Sequence, residues 1–273
     1  KTGIGFYVER LISNLDKYYS SDLDIYGYYF SFIGRGPAQE SLSYKHVRFK
    51  FFPGKVLNVL RRLGFQIYLE LLTRKKYDVM VFTNYVMLPT LRKTKKVLFV
   101  YDLCFLDHPV YLRDANLAFL NKFAPDSIKS ADSLVTISEF TKSRLLHYYP
   151  TLKDKIVVTP IPPKLNSEIM NELPERISNL GARKQKYILF IGTIEPRKNI
   201  LNLLKAFALL DESVTKEYSL VIAGGSGWKN DSILEEIKSL RSSGLQIVQT
   251  GRVTDDEQVA LYQNATCLVL PSH

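Results

Sequence analysis

The chain has 273 residues, 46% of them hydrophobic and 23% charged, and a formal net charge of +10 at pH 7, which fits a soluble globular protein of two ordinary domains. No apolar run approaches the roughly 18 residues of a spanning helix, and the first residues show no charged segment followed by an apolar one. Neither a transmembrane span nor a secretory signal is expected, and a cytoplasmic protein is the default expectation.

In chain order, a helix is predicted over Gly5–Tyr19, entered through TGIGF at Thr2 to Phe6. Gly3 and Gly5 would permit φ > 0 and let a ligand approach the backbone, although a plain helix-entry turn reads equally well. The spacing is not the GxGxxG of a dinucleotide site. Strands are predicted near Leu23–Phe32, Asp78–Thr83, Lys96–Tyr101, Ser133–Ile137 and Ile156–Thr159. A second set falls near Tyr187–Ile191, Tyr218–Ala223, Leu245–Gln249 and Thr266–Leu270. Strands alternating with helical patterns predict βαβ units and parallel sheets. The proline- and charge-rich stretch Pro160–Lys186 separates the two sets, which places a first domain with its linker at residues 1–180 and a second at 181–273.

The positive charge is local. Lys45 to Lys96 holds 13 basic residues against Glu70 and Asp78. Within it Lys55, Arg61, Arg62, Arg74, Lys75 and Lys76 accompany an apolar helical pattern from Val56 to Leu72. Two readings stay open: a core-packed helix with a solvated basic face, or a basic amphipathic helix on an anionic membrane surface. No stacking platform or finger motif supports nucleic acid as a partner. Cys104 and Cys267 lie in or beside apolar runs without CxxC or zinc-type histidine spacing, and are expected to be reduced core residues.

The segment from Tyr187 to Phe207, YILFIGTIEPRKNILNLLKAF, joins an apolar strand to a helix through Gly192, Thr193, Glu195, Pro196, Arg197, Lys198 and Asn199. Two cations beside a helix N-terminus suit a phosphate or diphosphate, because they add to the positive end of the macrodipole and its free N–H groups. The alternative is a solvated loop capped by Asn199. Asp102 ends the strand in VLFVYDLCFLDHP and is either a turn cap or a group near chemistry. Ser138 and Glu139 suit a helix cap and first turn, and Thr254 with Glu257 forms a T-x-x-E capping box. Gly224, Gly225, Gly227, Gly251 and Arg252 follow strands of the second set, where open α/β sheets bind ligands. No DxD-like metal motif stands out, since Asp255 and Asp256 lie inside the capping box.

GTIEPRKN, with ADSLVTISEFTKSRL (Ala131–Leu145), SLVIAGGSGW (Ser219–Trp228) and TGRVTDDEQVALYQNATCLVLPS (Thr250–Ser272), resembles the retaining glycosyltransferases of family 4, above all their bacterial mannosyltransferase-like branch. The resemblance implies an α/β chain of GT-B fold, two Rossmann-like domains facing across a cleft. It also implies incompleteness at both termini, where an opening strand and a paired-glutamate motif would lie. The implied reaction is hexosyl transfer with retention from a nucleoside diphosphate sugar to a hydroxyl of a lipid-linked or polysaccharide acceptor. The EPRKN variant leans towards GDP-mannose, although UDP-linked or deoxysugar donors could use the same loop. By the same resemblance Arg197 and Lys198 meet the diphosphate, with Gly192, Thr193 and Gly225 in the same crevice. Gly3 and Gly5 lie near the donor phosphates, Gly251, Arg252 and Val253 near the base, and Asp102 near the reacting sugar. No cofactor or metal is needed. Where family members commonly show His-Asp this chain has Tyr101 before Asp102, and a phenol with an ordinary pKa of about 10 is a poor proton acceptor. A non-catalytic nucleotide-sugar-binding or partner protein is the alternative; a dehydrogenase or nucleic-acid binder on the same fold class is disfavoured by the absent motifs.

Overall fold

A computed structural model describes residues 3–30, 45–49, 59–60, 63–65, 68–91, 93–161 and 172–272. They divide into two compact units, residues 1–163 and 164–273.

In the first unit, α1 (Gly3–Tyr19) leads to a parallel pair, β1 (Tyr26–Phe30) and β2 (Lys45–Phe49). Strand β2 was not expected: its sequence, KHVRF, opens the basic stretch, and its three cationic or imidazole side chains hide the strand pattern. After α2 (Leu69–Thr73) comes a parallel sheet in the order β3-β4-β5-β6, formed by Val79–Phe82, Lys95–Val100, Ser133–Thr136 and Ile156–Val158. Helices α3 (Cys104–Asp107) and α4 (Asp114–Ser130) join β4 to β5, and α5 (Glu139–Tyr148) joins β5 to β6. Leu98, Val100 and Leu134 of the sheet are buried with Ala124, Ile128 and Leu145 of the helices. Each large side chain so buried contributes about 1.5 to 3 kcal/mol. Of the helical pattern expected from Val56 to Leu72, residues 56–58, 61–62 and 66–67 lie outside the described residues, as does Lys55, and the described part is not one continuous helix, because Gly64 stands at φ +90° before α2 begins at Leu69. Among the described residues no helix is long and apolar enough to cross a membrane.

The second unit comprises α6 (Glu175–Asn179), β7 (Tyr187–Ile191), α7 (Ile200–Ala208), α8 (Glu212–Glu217), β8 (Ser219–Ala223), α9 (Asp231–Ser242), β9 (Ile247–Gly251), α10 (Asp255–Asn264) and β10 (Cys267–Leu268). Helix α6 lies before residue 180 but buries Ile177 in the core of this unit, with Tyr187, Leu189 and Val221, so the division falls nearer the start of the Pro160–Lys186 stretch than residue 180. Strand β7 is almost wholly apolar because both its faces are covered. Ile200, Leu203, Leu204 and Phe207 of α7 recur at i, i+3, i+4 and i+7 and are buried on one face, as the periodicity predicts. The Tyr187 hydroxyl is satisfied by donation to the Leu261 carbonyl at 2.7 Å.

All four strands are parallel, in the order β10-β7-β8-β9. The chain leaves β7 for β8 on one side, then returns from β9 to β10 on the other. Ligands of open α/β sheets bind outside the carboxyl ends of the strands at such a reversal, here between β7 and β10. Cys267 corrects an expectation: it lies on the edge strand β10 and is exposed, whereas Cys104 is half-buried, and both are free thiols.

Candidate functional site

The loop leaving β7 is tied to its neighbours through its backbone. Gly192 N–H donates to the Ala223 carbonyl at 2.8 Å, Ile194 N–H to Gly225 at 3.0 Å, and Gly227 N–H to Ile194 at 3.0 Å. The loop after β8 is fixed against both flanking strands, because Gly224 N–H donates to the Gly251 carbonyl at 2.8 Å. A Cβ at Gly224, where φ is +144°, would stand 1.9 Å from the Gly192 carbonyl oxygen. At Gly225 a Cβ would meet the Arg252 side chain at 3.0 Å. The carboxyl ends of β7, β8 and β9 thus bring together Gly192, Thr193, Arg197, Lys198, Gly225, Gly251, Arg252 and Val253. Thr193 and Arg252 are exposed.

Two local readings of this loop are corrected. Asn199 does not cap α7: it adopts left-handed backbone (φ 55°, ψ 31°), and its side-chain amide donates to the Pro271 carbonyl at 3.0 Å, joining the loops after β7 and β10. Pro196–Lys198 forms a 3-10 turn between strand and helix, and Arg197 turns back to the Glu195 carboxylate at 2.7 Å. That carboxylate side chain is only 3% exposed while the arginine is 36% exposed, so Glu195 anchors one edge of a guanidinium that still meets solvent. The Lys198 Cε lies 3.9 Å from the point where a Gly192 Cβ would sit.

The loop after β9 has a clamp that sequence reasoning missed. Arg176 of α6 donates from Nε and Nη2 to both oxygens of Glu257, at 2.6 and 2.9 Å, from Nη1 to the Thr250 carbonyl at 2.8 Å, and from Nη2 to the Arg252 carbonyl at 3.3 Å. Glu257 also closes the capping box with Thr254, the structural role expected of both. No local pattern announces Arg176, which is 81 residues from Glu257.

Arg176 and the Thr254 backbone draw the Glu257 carboxyl down from 4.5 to about 2, against the opposing effect of its burial. A depressed carboxyl stabilises the fold fully above its unfolded value and loses that contribution as pH falls through the folded one. The stability difference between the unaltered chain and Glu257→Gln, measured by urea unfolding, is therefore expected to be constant near neutrality and to shrink between about pH 5 and about pH 2. A difference independent of pH would show that the ion pair is not formed.

In the first unit, Gly3 and Gly5 lie inside α1, and neither has the positive φ that the sequence left open to them. Asp102 accepts from Cys104 N–H at 3.0 Å, the turn-capping role, and its charge adds to burial in raising the pKa of the neighbouring Tyr85 hydroxyl. Ser138 caps α5 by accepting from Thr141 N–H at 3.1 Å, and Thr141 donates its own hydroxyl to the Tyr101 carbonyl. Below this turn, Asp107 accepts from Arg144 and from the Tyr148 hydroxyl, fastening α3 to α5.

Tyr101 is a core residue, edge to face with Tyr7 and Tyr85, and its hydroxyl donates to the Thr83 carbonyl at 3.1 Å. Burial pushes its pKa up to about 12, further from proton exchange near neutrality. Tyr101→Phe is expected to cost about 1 kcal/mol of stability in urea unfolding, and an unchanged stability would show that the hydroxyl does not hold the Thr83 carbonyl.

A parallel sheet reversing between β7 and β10, with glycine-tight loops and cations at the reversal, is a doubly wound α/β unit of the kind that binds ligands at its strand ends. Residues 174–273 match the family described as glycosyl transferases group 1. The chain is 29% identical over 185 residues to the O-antigen chain mannosyltransferase B of Escherichia coli, a match covering 66% of this chain and 48% of that protein. It is 37% identical over 89 residues to an alpha-1,4-N-acetyl-D-galactosaminyltransferase of Campylobacter jejuni, covering 33% of this chain and 23% of that one. The chain thus spans about half the length of the first of these relatives and less of the second. Among solved structures, the lipopolysaccharide glycosyltransferase WaaG superposes with a TM-score of 0.63 at 14% identity, over 99% of this chain and 72% of that one. Anabaena HepE with UDP and glucose gives 0.60 at 15% identity, over 99% and 71%. The fold is GT-B.

Proposed function

We propose that the chain belongs to a glycosyltransferase that moves a hexosyl group, mannose from GDP-mannose, with retention to a hydroxyl of a lipid-linked or polysaccharide acceptor in surface-glycan biosynthesis. The observation that carries this reading is the set of loops at the β7/β10 reversal, with Arg197 and Lys198 in the turn that enters α7. Likeness to an O-antigen mannosyltransferase favours mannose.

In such a transfer the bond from the anomeric carbon to the diphosphate oxygen breaks, the departing diphosphate keeps the electron pair, the acceptor hydroxyl oxygen bonds to that carbon on the same face, and its proton leaves with the diphosphate. Cations already in position stabilise that charge as it develops, without reorganisation during the step. Lys198, the exposed edge of Arg197 and the first N–H groups of α7 would serve this role, with no metal required. Within the second unit, Gly192, Thr193 and Gly225 would leave room for the phosphates, and Gly251, Arg252 and Val253 would receive the base. We assign the site to the cytoplasmic side of a membrane, the basic residues between 45 and 96 adding about 1 kcal/mol each near an anionic surface.

The test is a donor panel. The chain is incubated with a polyprenyl-diphosphate-linked mannosylated acceptor and GDP-mannose, UDP-glucose, UDP-N-acetylglucosamine or a dTDP-deoxysugar, and products are read by mass spectrometry. Extension by one hexose from GDP-mannose alone is expected. Extension only from a UDP or dTDP donor would overturn the mannose assignment, and extension from none would overturn the transferase reading.

A further inference from the structure

We infer that Arg176 is a positioning residue for the base-recognition loop: from outside that loop it sets the direction of the peptide groups that meet the nucleoside of the donor. The inference rests on the donor-site reading above.

Arg176 reaches the carbonyls on either side of Gly251, those of Thr250 and Arg252, and with the rest of its fork holds both oxygens of Glu257. Only arginine can do this, because its planar guanidinium presents five N–H donors in fixed directions. Every described peptide bond is trans, and in a trans peptide the C=O and N–H point to opposite sides. With the Arg252 carbonyl drawn towards Arg176, the N–H of Val253 faces away from it. That N–H has no hydrogen-bond partner among the described residues, whereas the next one, Thr254 N–H, is taken by Glu257 at 2.8 Å. A half-buried donor left open at the carboxyl end of β9 is suited to an acceptor atom on a purine or pyrimidine edge.

The backbone there needs such a fastening. Gly251 stands at φ +67°, a conformation glycine adopts readily and leaves as readily, and the loop is exposed at Gly251, Arg252 and Thr254. The neighbouring contact from Gly224 N–H holds only the Gly251 carbonyl. Without Arg176 the Arg252–Val253 peptide would be free to rotate, and base selection would relax while the phosphate loop after β7 stayed as it is.

The experiment compares the unaltered chain with Arg176→Lys and Arg176→Ala, titrated with GDP, UDP, dTDP and inorganic pyrophosphate. Lysine keeps a charge opposite Glu257 but cannot span two carbonyls. Losing one oriented hydrogen bond to the base corresponds to about tenfold in affinity. Both variants are therefore expected to bind the preferred nucleoside diphosphate about tenfold more weakly and to discriminate less between bases, with pyrophosphate affinity within about twofold. Unchanged base discrimination in Arg176→Lys, or an equal loss for pyrophosphate, would overturn the positioning role. Failure of the unaltered chain to bind any nucleoside diphosphate would instead overturn the donor-site reading on which it rests.

Discussion

Gly224→Ala is expected to destabilise the second unit by about 4 kcal/mol, from backbone strain of about 1 to 3 kcal/mol together with an overpacking cost of similar size. The added methyl would stand 1.9 Å from the Gly192 carbonyl oxygen and 2.7 Å from its carbon, and both are backbone atoms of a loop already hydrogen-bonded to β8. A backbone conformation of φ +144° adds strain for any residue with a side chain. Such a loss is a large part of the 5 to 15 kcal/mol that holds a typical domain, and the candidate site should fail with it, since Gly224 lies between the loops after β7 and β9. Gly244→Ala is the control. It also has positive φ, +94°, but its Cβ would meet nothing within 4 Å, so only strain of about 1 kcal/mol is expected. Urea unfolding of the two variants decides the matter: equal losses would mean that the loops after β7 and β8 do not approach this closely.

Lys198→Ala and Arg197→Ala are expected to separate chemistry from scaffold. A preorganised donor to developing charge is typically worth about 100- to 1,000-fold in turnover, and Lys198→Ala should lose that much while stability changes by less than about 1 kcal/mol. Arg197→Ala does something further: it strands the Glu195 carboxylate, 3% exposed, without its cation. Removing one partner of a fully buried ion pair costs about 3 to 5 kcal/mol, and because Arg197 is 36% exposed a loss of about 2 kcal/mol is expected. The double variant Glu195→Gln with Arg197→Ala should recover most of that stability, because a neutral amide needs no counter-charge, but not the turnover. Turnover within about tenfold in Lys198→Ala would remove Lys198 from the site.

What could be read from the residues was local. The run Tyr187–Ile191 and the repeat at Ile200, Leu203, Leu204 and Phe207 define β7 and α7 because both faces of the strand and one face of the helix are buried. Ser138 and the Thr254/Glu257 box carry their own hydrogen-bond partners within one helical turn, so their capping is legible. What escaped depends on chain segments far apart or on backbone geometry. Arg197 looked like a free cation until Glu195 proved buried beside it, and Asn199 looked like a cap until its left-handed backbone aimed it at Pro271. The Arg176 clamp joins α6 to the loop after β9 across a separation no pattern spans, and Cys267, apolar in its context, lies on an edge strand. Strand β2 escaped because KHVRF carries no apolar run of its own and is recognised only by its pairing with β1.

The most direct test of a nucleoside diphosphate site on the second unit is thermal unfolding of the chain with GDP, UDP, dTDP and NAD, alongside Lys198→Ala. At about 100 times its dissociation constant a ligand adds about 2.7 kcal/mol, a rise of several degrees in Tm. Selective stabilisation by one nucleoside diphosphate, GDP first among them, and its reduction in Lys198→Ala are the predicted results. Equal stabilisation by NAD, or no stabilisation by any nucleoside diphosphate, would contradict the site.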